Sequence, residues 1–429
     1  MTIYWAPFLH AYQPPWQDVG VLKEIYTECY DPLLSMLERH ENAKITLNIQ
    51  GCLIDLLNGL DLKNVRQRLT HLMQIDRINL VGSAKYHPIL PIIPEKEAVR
   101  QISMNSKAIK ASFDGNWSPT GFFPPEMAVS PIIVELVSEL GFKWIIMDGI
   151  AHTGPWPQNF IQTQKYSRED GPEKEICTFF RDTILSNMIS FKTIDANGFI
   201  KHLYSMFPDY KDHDYYLITA QDAETFGHHH KYYETSFLGK VFSLLEDQDN
   251  IKIIFISELC KLFPKRVQPK NAIRASTWST EAADLASNVP YPLWVHPLNP
   301  VHKYQYRLLK ALYKLMDLLD YYMPDYQELT NFIHYYKTAR YFFDQSLHSC
   351  WLWWASMRPM WSPNLIYKGL DLVWKASLNA QLALINAKIG TGDEFYSIII
   401  DNGERIMEEM IEQELAGQHV RTFGDISTI

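Results

Sequence analysis

Basic charge is in the minority here: 40 Lys and Arg face 49 Asp and Glu over 429 residues, a formal net charge of −9. That leaves no basic footprint for nucleic acid or for an anionic membrane surface. A neutral substrate suits the balance better than a polyanion. Cysteine is sparse as well. Cys29, Cys52, Cys177, Cys260 and Cys350 are scattered, odd in number and never spaced Cys-x-x-Cys, which argues against a disulfide framework or a zinc knuckle. No apolar run approaches the roughly 18 residues of a membrane span. The opening "MTIYWAPFLH" has neither a basic n-region nor a sustained apolar stretch, so no signal peptide is read and a cytoplasmic location is expected. Internal repeats and low-complexity tracts are missing too.

What is present is apolar and aromatic. Hydrophobic residues make up 47% and charged residues 21%, the composition of a globular chain with a sizeable core. Aromatics reach 13%, with 12 Trp and 24 Tyr. Rings of this number can fill a large core or present flat faces to pyranose rings, and composition does not separate the two.

Up to about residue 260, short apolar runs alternate with helical patterns, the signature of βα units and a parallel sheet. Strands are expected at 3–9, 44–49, 78–83, 121–125, 144–148, 215–220 and 252–257, with helical stretches at 22–39, 95–113, 131–140 and 235–246. Residues 151–175 read as a long loop. Seven strands so interleaved predict an irregular (β/α)7 barrel, class α/β, over 1–265. Beyond it, 266–429 reads as a Pro-rich linker and a C-terminal helical domain, with helices at 302–322, 327–347, 365–389 and 393–415.

In a parallel α/β barrel, reacting groups gather just past the C-terminal ends of the strands. His10 and Gln13 follow the first strand in "FLHAYQPP", and His87 lies a few residues beyond "INLVGS". Glu126 follows "GFFPP", Asp148 ends "WIIMD", and Asp222 and Glu224 follow "YLITA". Each carboxylate also has a plainer reading. Glu126 could sit near the dipole of the helix that starts "PIIVELVSEL", and Asp222 could cap a turn. Together they form the carboxyl pair that glycoside hydrolysis requires, one to protonate the leaving oxygen and one to attack or to activate water. The run His228, His229, His230 invites a metal reading, but three successive side chains diverge, whereas a zinc site needs convergent ligands.

"HAYQP", "GFFPPEMA" and "DAETFGHH", with "STWST", "VPYPLW" and "HSCWLWWASMRPMWSP" further on, resemble glycoside hydrolase family 57, the α-glucan-active retaining enzymes. The resemblance implies an irregular seven-stranded β/α barrel followed by a helical domain. It implies Glu126 as nucleophile, Asp222 as general acid/base, and Glu224 as a sugar contact. His10, Tyr12, Gln13, His87, Trp278 and Trp354 join it as candidate substrate-binding residues. The partner implied is an α-glucan, with no cofactor and no metal, since an acid/base pair needs no Lewis acid. Double displacement further implies carboxyls about 5–5.5 Å apart.

The chain departs from the family pattern in two places. Tyr12 stands where a second histidine is usual, and "DRINLVGS" sets Asp76 and Asn79 at the places of a Gly-x-x-Glu motif. A non-catalytic glycan-binding protein on the same fold is one alternative that these departures favour. A metal-dependent polysaccharide deacetylase is another; it would need an Asp with a His-x-x-x-His set, which the sequence does not contain. Trp351 and Trp354, three apart, are expected on one helical face, either packing the domain or lining a glucan cleft.

Overall fold

The structure is a computed structural model that describes residues 2–60, 63–113, 117–166, 173–390 and 392–417. Those residues divide into two compact units: Met1–Lys85 with Ala98–Trp278, and Tyr86–Glu97 with Ser279–Ile429.

The first unit carries β1 (Ile3–Ala11), β2 (Ile45–Ile49), β3 (Ile78–Leu80), β4 (Gly121–Phe122), β5 (Trp144–Asp148), β6 (Ile161–Tyr166), β7 (Lys174–Arg181), β8 (Tyr215–Asp222), β9 (Ile251–Ile253) and β10 (Lys265–Val267). One sheet runs β3-β2-β1-β8, with β9 also on β1, and the other runs β10-β6-β7-β5-β4. A parallel bridge from Gly82 to Phe122 joins β3 to β4. At the other junction the amide of Asp182 donates to the carbonyl of Ile218 at 2.8 Å, tying β7 to β8. The circuit β1, β2, β3, β4, β5, β7, β8 is an irregular seven-stranded parallel barrel.

Two expectations change. Residues 151–175, read as a loop, contain β6 and the start of β7, a pair running antiparallel. The run 252–257 is not a full barrel strand. Its β9 segment pairs only with Ile3–Trp5 of β1, and Ile256–Leu262 then turns helical. The seventh barrel strand is therefore β7.

Strand parity explains which side chains reach the barrel axis, because successive residues point to opposite faces. On β1, Ile3, Trp5, Leu9 and Ala11 belong to the apolar cluster shared with the surrounding helices. Ala6 and Phe8 belong to a second cluster built mostly of strand residues, with Trp144 and Ile146 of β5, Cys177 and Phe179 of β7, and Tyr216, Ile218 and Ala220 of β8. Edge-to-face rings Trp144–Phe179, Phe179–Tyr216 and Tyr216–Phe263 run through this interior. Gly121 is required beside it: a Cβ there would lie 2.0 Å from the Trp144 ring. Following the same parity one step further along each strand reaches His10, Asp148, Arg181 and Asp222. The apolar barrel thus ends in a polar layer at the C-terminal ends of β1, β5, β7 and β8.

The second unit is helical, with long helices at Pro300–Tyr322, Thr330–Ser346, Pro363–Asn386 and Asp393–Leu415. Asn299 caps the first, accepting from the amide of His302 at 3.0 Å, and Pro300 takes the opening position where no amide is needed. Arg340 grips the buried Glu97 at 2.8 and 3.2 Å, tying the 86–97 segment to the Thr330–Ser346 helix. Trp351 is fully buried on a helix of only four residues, Cys350–Trp353, so the expected face shared with Trp354 shrinks to one turn. No helix among the described residues is long and apolar enough to cross a membrane.

Candidate active site

The polar layer assembles from strand register. In the β1/β8 ladder His10 lies opposite Asp222, and in the β5/β7 ladder Asp148 lies opposite Arg181. Burial pushes the pKa of His10 down to about 4, partly offset by Asn48, whose side chain meets Nδ1 at 2.7 Å from β2. The imidazole is therefore neutral at physiological pH. It stacks on Phe123 with centroids 4.5 Å apart and meets the Trp278 ring at 6.1 Å.

Glu126 is held by strain and by a clamp. After Pro124 and Pro125 the chain enters the left-handed region at Glu126 (φ 58°) and again at Met127 (φ 48°), a conformation that costs roughly 1–2 kcal/mol per non-glycine residue. The helix that follows is capped by Ser130 instead, so the helix-start reading of Glu126 does not describe it. A bridge between Val129 and Ser276 fixes the turn. Two residues on, Trp278 donates its amide to the Glu126 carbonyl at 3.2 Å and its indole Nε1–H to Oε2 at 2.8 Å.

Asp222 ends β8 without capping the turn after it, so the cap reading fails here too. It keeps some surface open to solvent. Burial nevertheless raises its pKa to about 6, against the pull of the Arg181 cation. Glu224, only 5% exposed, is pushed up to about 7, first by burial and then by the neighbouring Asp222 charge. Its Oε1 accepts from Gln13 Nε2 at 3.1 Å, from the amide of Tyr12 at 3.4 Å and from the Tyr30 hydroxyl. Tyr30 comes from a π-helical turn, Tyr26–Tyr30, that interrupts the expected 22–39 helix. The same turn donates Cys29 Sγ to the carbonyl of Ala223. π-Turns of this kind concentrate at functional positions.

His10, Tyr12, Gln13, Glu126, Asp222, Glu224 and Trp278 thus all lie in the barrel unit, linked by these contacts. His87 and Trp354 belong to the helical unit. There His87 Nδ1 meets Ser349 Oγ at 2.9 Å, and Trp354 packs edge-on against Trp353. The histidine run disperses. His228 pairs with Glu28 at 2.8 Å, and His230 Nε2 meets the Ser190 carbonyl at 2.9 Å. Among the described residues no three His, Cys, Asp or Glu side chains gather as a metal-holding group. Asp76 precedes β3, largely exposed, and pairs with Lys44 at 2.9 Å. Sequence reasoning missed Arg181, Asn48 and Tyr30. The run "ICTFFR" (176–181) carried a usable β signal for Arg181, and Asn48 is a polar residue near the end of the expected strand 44–49; Tyr30 had none.

A parallel β/α barrel whose C-terminal rim gathers carboxylates, a neutral histidine and an indole is built as a barrel enzyme is built. The model of glycosyl hydrolase family 57 matches residues 8–276, more than half of the chain, and the chain belongs to that family. An α-amylase of Pyrococcus horikoshii is 25% identical over 315 residues, 71% of this chain and 48% of the relative. The chain therefore spans about half the length of that relative. Among solved structures, an exo-type maltose-forming amylase of Pyrococcus sp. ST04 matches with a TM-score of 0.68 at 13% identity, over 93% of this chain and 83% of that one. A family 57 branching enzyme of Pyrococcus horikoshii matches with a TM-score of 0.67 at 15% identity, over 94% of each chain. At such identities the two structures speak for the fold.

Proposed function

We propose that this chain is a retaining enzyme of α-glucans, a hydrolase or transglycosylase working by double displacement. Glu126 attacks the anomeric carbon while Asp222 protonates the departing oxygen. Asp222 then takes a proton from water or from an acceptor hydroxyl, which attacks the glycosyl ester of Glu126. The observation that supports this reading is that two carboxyls in unlike surroundings stand at or just past strand ends of the same barrel unit. Asp222 is pushed up to about 6 by burial, so a protonated fraction persists near neutral pH, as an acid requires. Glu126 is aimed by the Trp278 N–H, which favours a charged oxygen over a neutral one. Retention asks for carboxyls about 5–5.5 Å apart, and that is the separation we propose for the pair. Glu224, Gln13 and His10 would hold the sugar at the reacting centre, with Tyr12 shaping the same wall. His87 and Trp354 remain proposed sugar contacts of the helical part.

The names of its relatives, an α-amylase and a 4-α-glucanotransferase, support the substrate class and leave the acceptor open. Water and a sugar hydroxyl differ only in which one reaches the ester. The test is to incubate the purified chain with maltooligosaccharides and resolve the products by length and anomeric form. Newly formed α-anomers, absent with Glu126→Ala, are expected. Tight glucan binding with no new product would favour the binding-protein alternative that Tyr12 suggests.

A further inference from the structure

Arg181 meets no substrate group by its position: it is 4% exposed and its partner Asp148 only 1%. Its guanidinium nonetheless donates to four partners. Nε donates to Asp148 Oδ2 at 2.5 Å, and Nη1 donates to the carbonyl of Ala220 at 2.9 Å. Nη2 donates to the carbonyl of Trp278 at 3.4 Å and to Asn187 Oδ1 at 3.5 Å. The guanidinium carbon also lies 5.3 Å from the centre of the Trp278 ring. Ala220 stands two residues before Asp222 on β8, and Trp278 holds Glu126. One side chain thus touches the strand backbone two residues before the proposed acid/base and the holder of the proposed nucleophile. Asp148 is itself held, accepting from the amide of Ile150 at 2.9 Å and from Thr183 Oγ1 at 2.8 Å.

We propose that Arg181, oriented by Asp148, is a positioning residue for the reaction that sets Asp222 and, through Trp278, Glu126 in mutual register where β7 and β8 have no ladder between them. A buried ion pair is weak support for stability, since an apolar pair of similar volume often serves as well. The fork of donors, by contrast, suits simultaneous contact with a carboxylate, a carbonyl and an indole face, which a lysine cannot reproduce. The inference rests on the assignment of Glu126 and Asp222 above.

Two variants test it on the full chain, beside Glu126→Ala and Asp222→Ala. Arg181→Lys keeps the charge and loses the fork. Asp148→Asn with Arg181→Gln removes both charges together, so that no unpaired anion is left buried. The groups facing Asp222 are Arg181 from β7, His10 from β1, Glu224 from its own turn and, at the separation proposed above, Glu126, with Asp148 paired to the guanidinium. Of these, Arg181 favours the ionised form of Asp222. Without it the carboxyl should hold its proton to higher pH, and the alkaline limb of kcat/KM should move upward. Arg181→Lys should lower kcat at least about tenfold with KM within about twofold, the signature of lost transition-state geometry. Its pH profile should stay in place. The double variant should show both the fall in kcat and the upward limb while keeping a cooperative melt.

If both variants keep wild-type kcat and an unmoved profile while Glu126→Ala and Asp222→Ala are inactive, the positioning role is wrong and the mechanism stands. A fall in kcat without a moved limb in the double variant would also overturn it, since loosened packing alone would do that. Should Glu126→Ala and Asp222→Ala turn over like the wild type, or the wild type not turn over at all, the mechanism and this inference fall together.

Discussion

Replacing Asp222 by Asn should stabilise the protein, and more so as pH rises. Burial raises the Asp222 carboxyl from 3.8 to about 6. In the unfolded chain it titrates at the ordinary value, so between about pH 4 and pH 6 the folded form binds a proton that the unfolded form releases. Stability therefore falls across that window as pH rises, and the full penalty is present above it. The rise from 3.8 to about 6 corresponds to roughly 3 kcal/mol. That is an upper figure, because Asp222 keeps part of its surface in solvent. Glu224 works in the same sense. Its pKa is raised to about 7, in part by the Asp222 charge, and that part disappears in the variant. With an unfolding entropy of about 2.1 cal/mol/K per residue over 429 residues, 3 kcal/mol is about 3 °C in Tm. The assay is paired thermal melts of wild type and Asp222→Asn at about pH 4 and about pH 8. The variant should gain about 2–3 °C over wild type at the higher pH and little at the lower, while turnover collapses. A gain that is the same at both values, or a loss that grows with pH, would refute the raised pKa.

The two carboxylates should also separate by chemical rescue. On an activated aryl glycoside, azide should restore Asp222→Ala with retained configuration and Glu126→Ala only with inverted configuration; swapped outcomes would exchange their roles. Trp278→Phe keeps an aromatic ring in place of the indole and deletes the N–H that holds Glu126 at 2.8 Å. A hydrogen bond to a charged group is worth about 1.5–3 kcal/mol, so kcat/KM should fall by about 10- to 150-fold with little change in Tm. Gly227→Ala should unfold the turn behind Glu224: at φ 123° its Cβ would lie 1.9 Å from the backbone oxygen of Glu28. A loss above about 3 kcal/mol in denaturant titration is expected, and a near-neutral result would mean that the turn is not packed on Tyr26–Tyr30.

Much of the site was legible because strand ends and punctuation are local. The run "IYWAPFLHA" alternates so that His10 shares a face with Ala6 and Phe8. "YYLITAQD" does the same for Asp222, and the prolines before Glu126 mark a forced turn. The β6/β7 hairpin was not legible in that way. Its first strand, "IQTQKY", is polar at four of six positions, and its buried glutamines find partners that a strand pattern does not show: Gln162 meets His152 at 2.7 Å and Tyr166 donates to Gln164. Those partners exist only once the fold brings them together. Missing that hairpin hid Arg181.

By itself the sequence determined the period-two faces of the strands, the carboxylates at their C-terminal ends and the four long helices. Those follow from backbone geometry and side-chain polarity over a few residues. Only the tertiary structure decided that β7 is the seventh barrel strand, and that His10 faces Asp222 while Asp148 faces Arg181. It alone decided that Tyr30, 194 positions from Glu224, donates to it. Register and burial are properties of the assembled barrel. The pKa values near 6 and 7 at Asp222 and Glu224 arise first from the solvent that the assembled barrel excludes, and no neighbour along the chain encodes that exclusion.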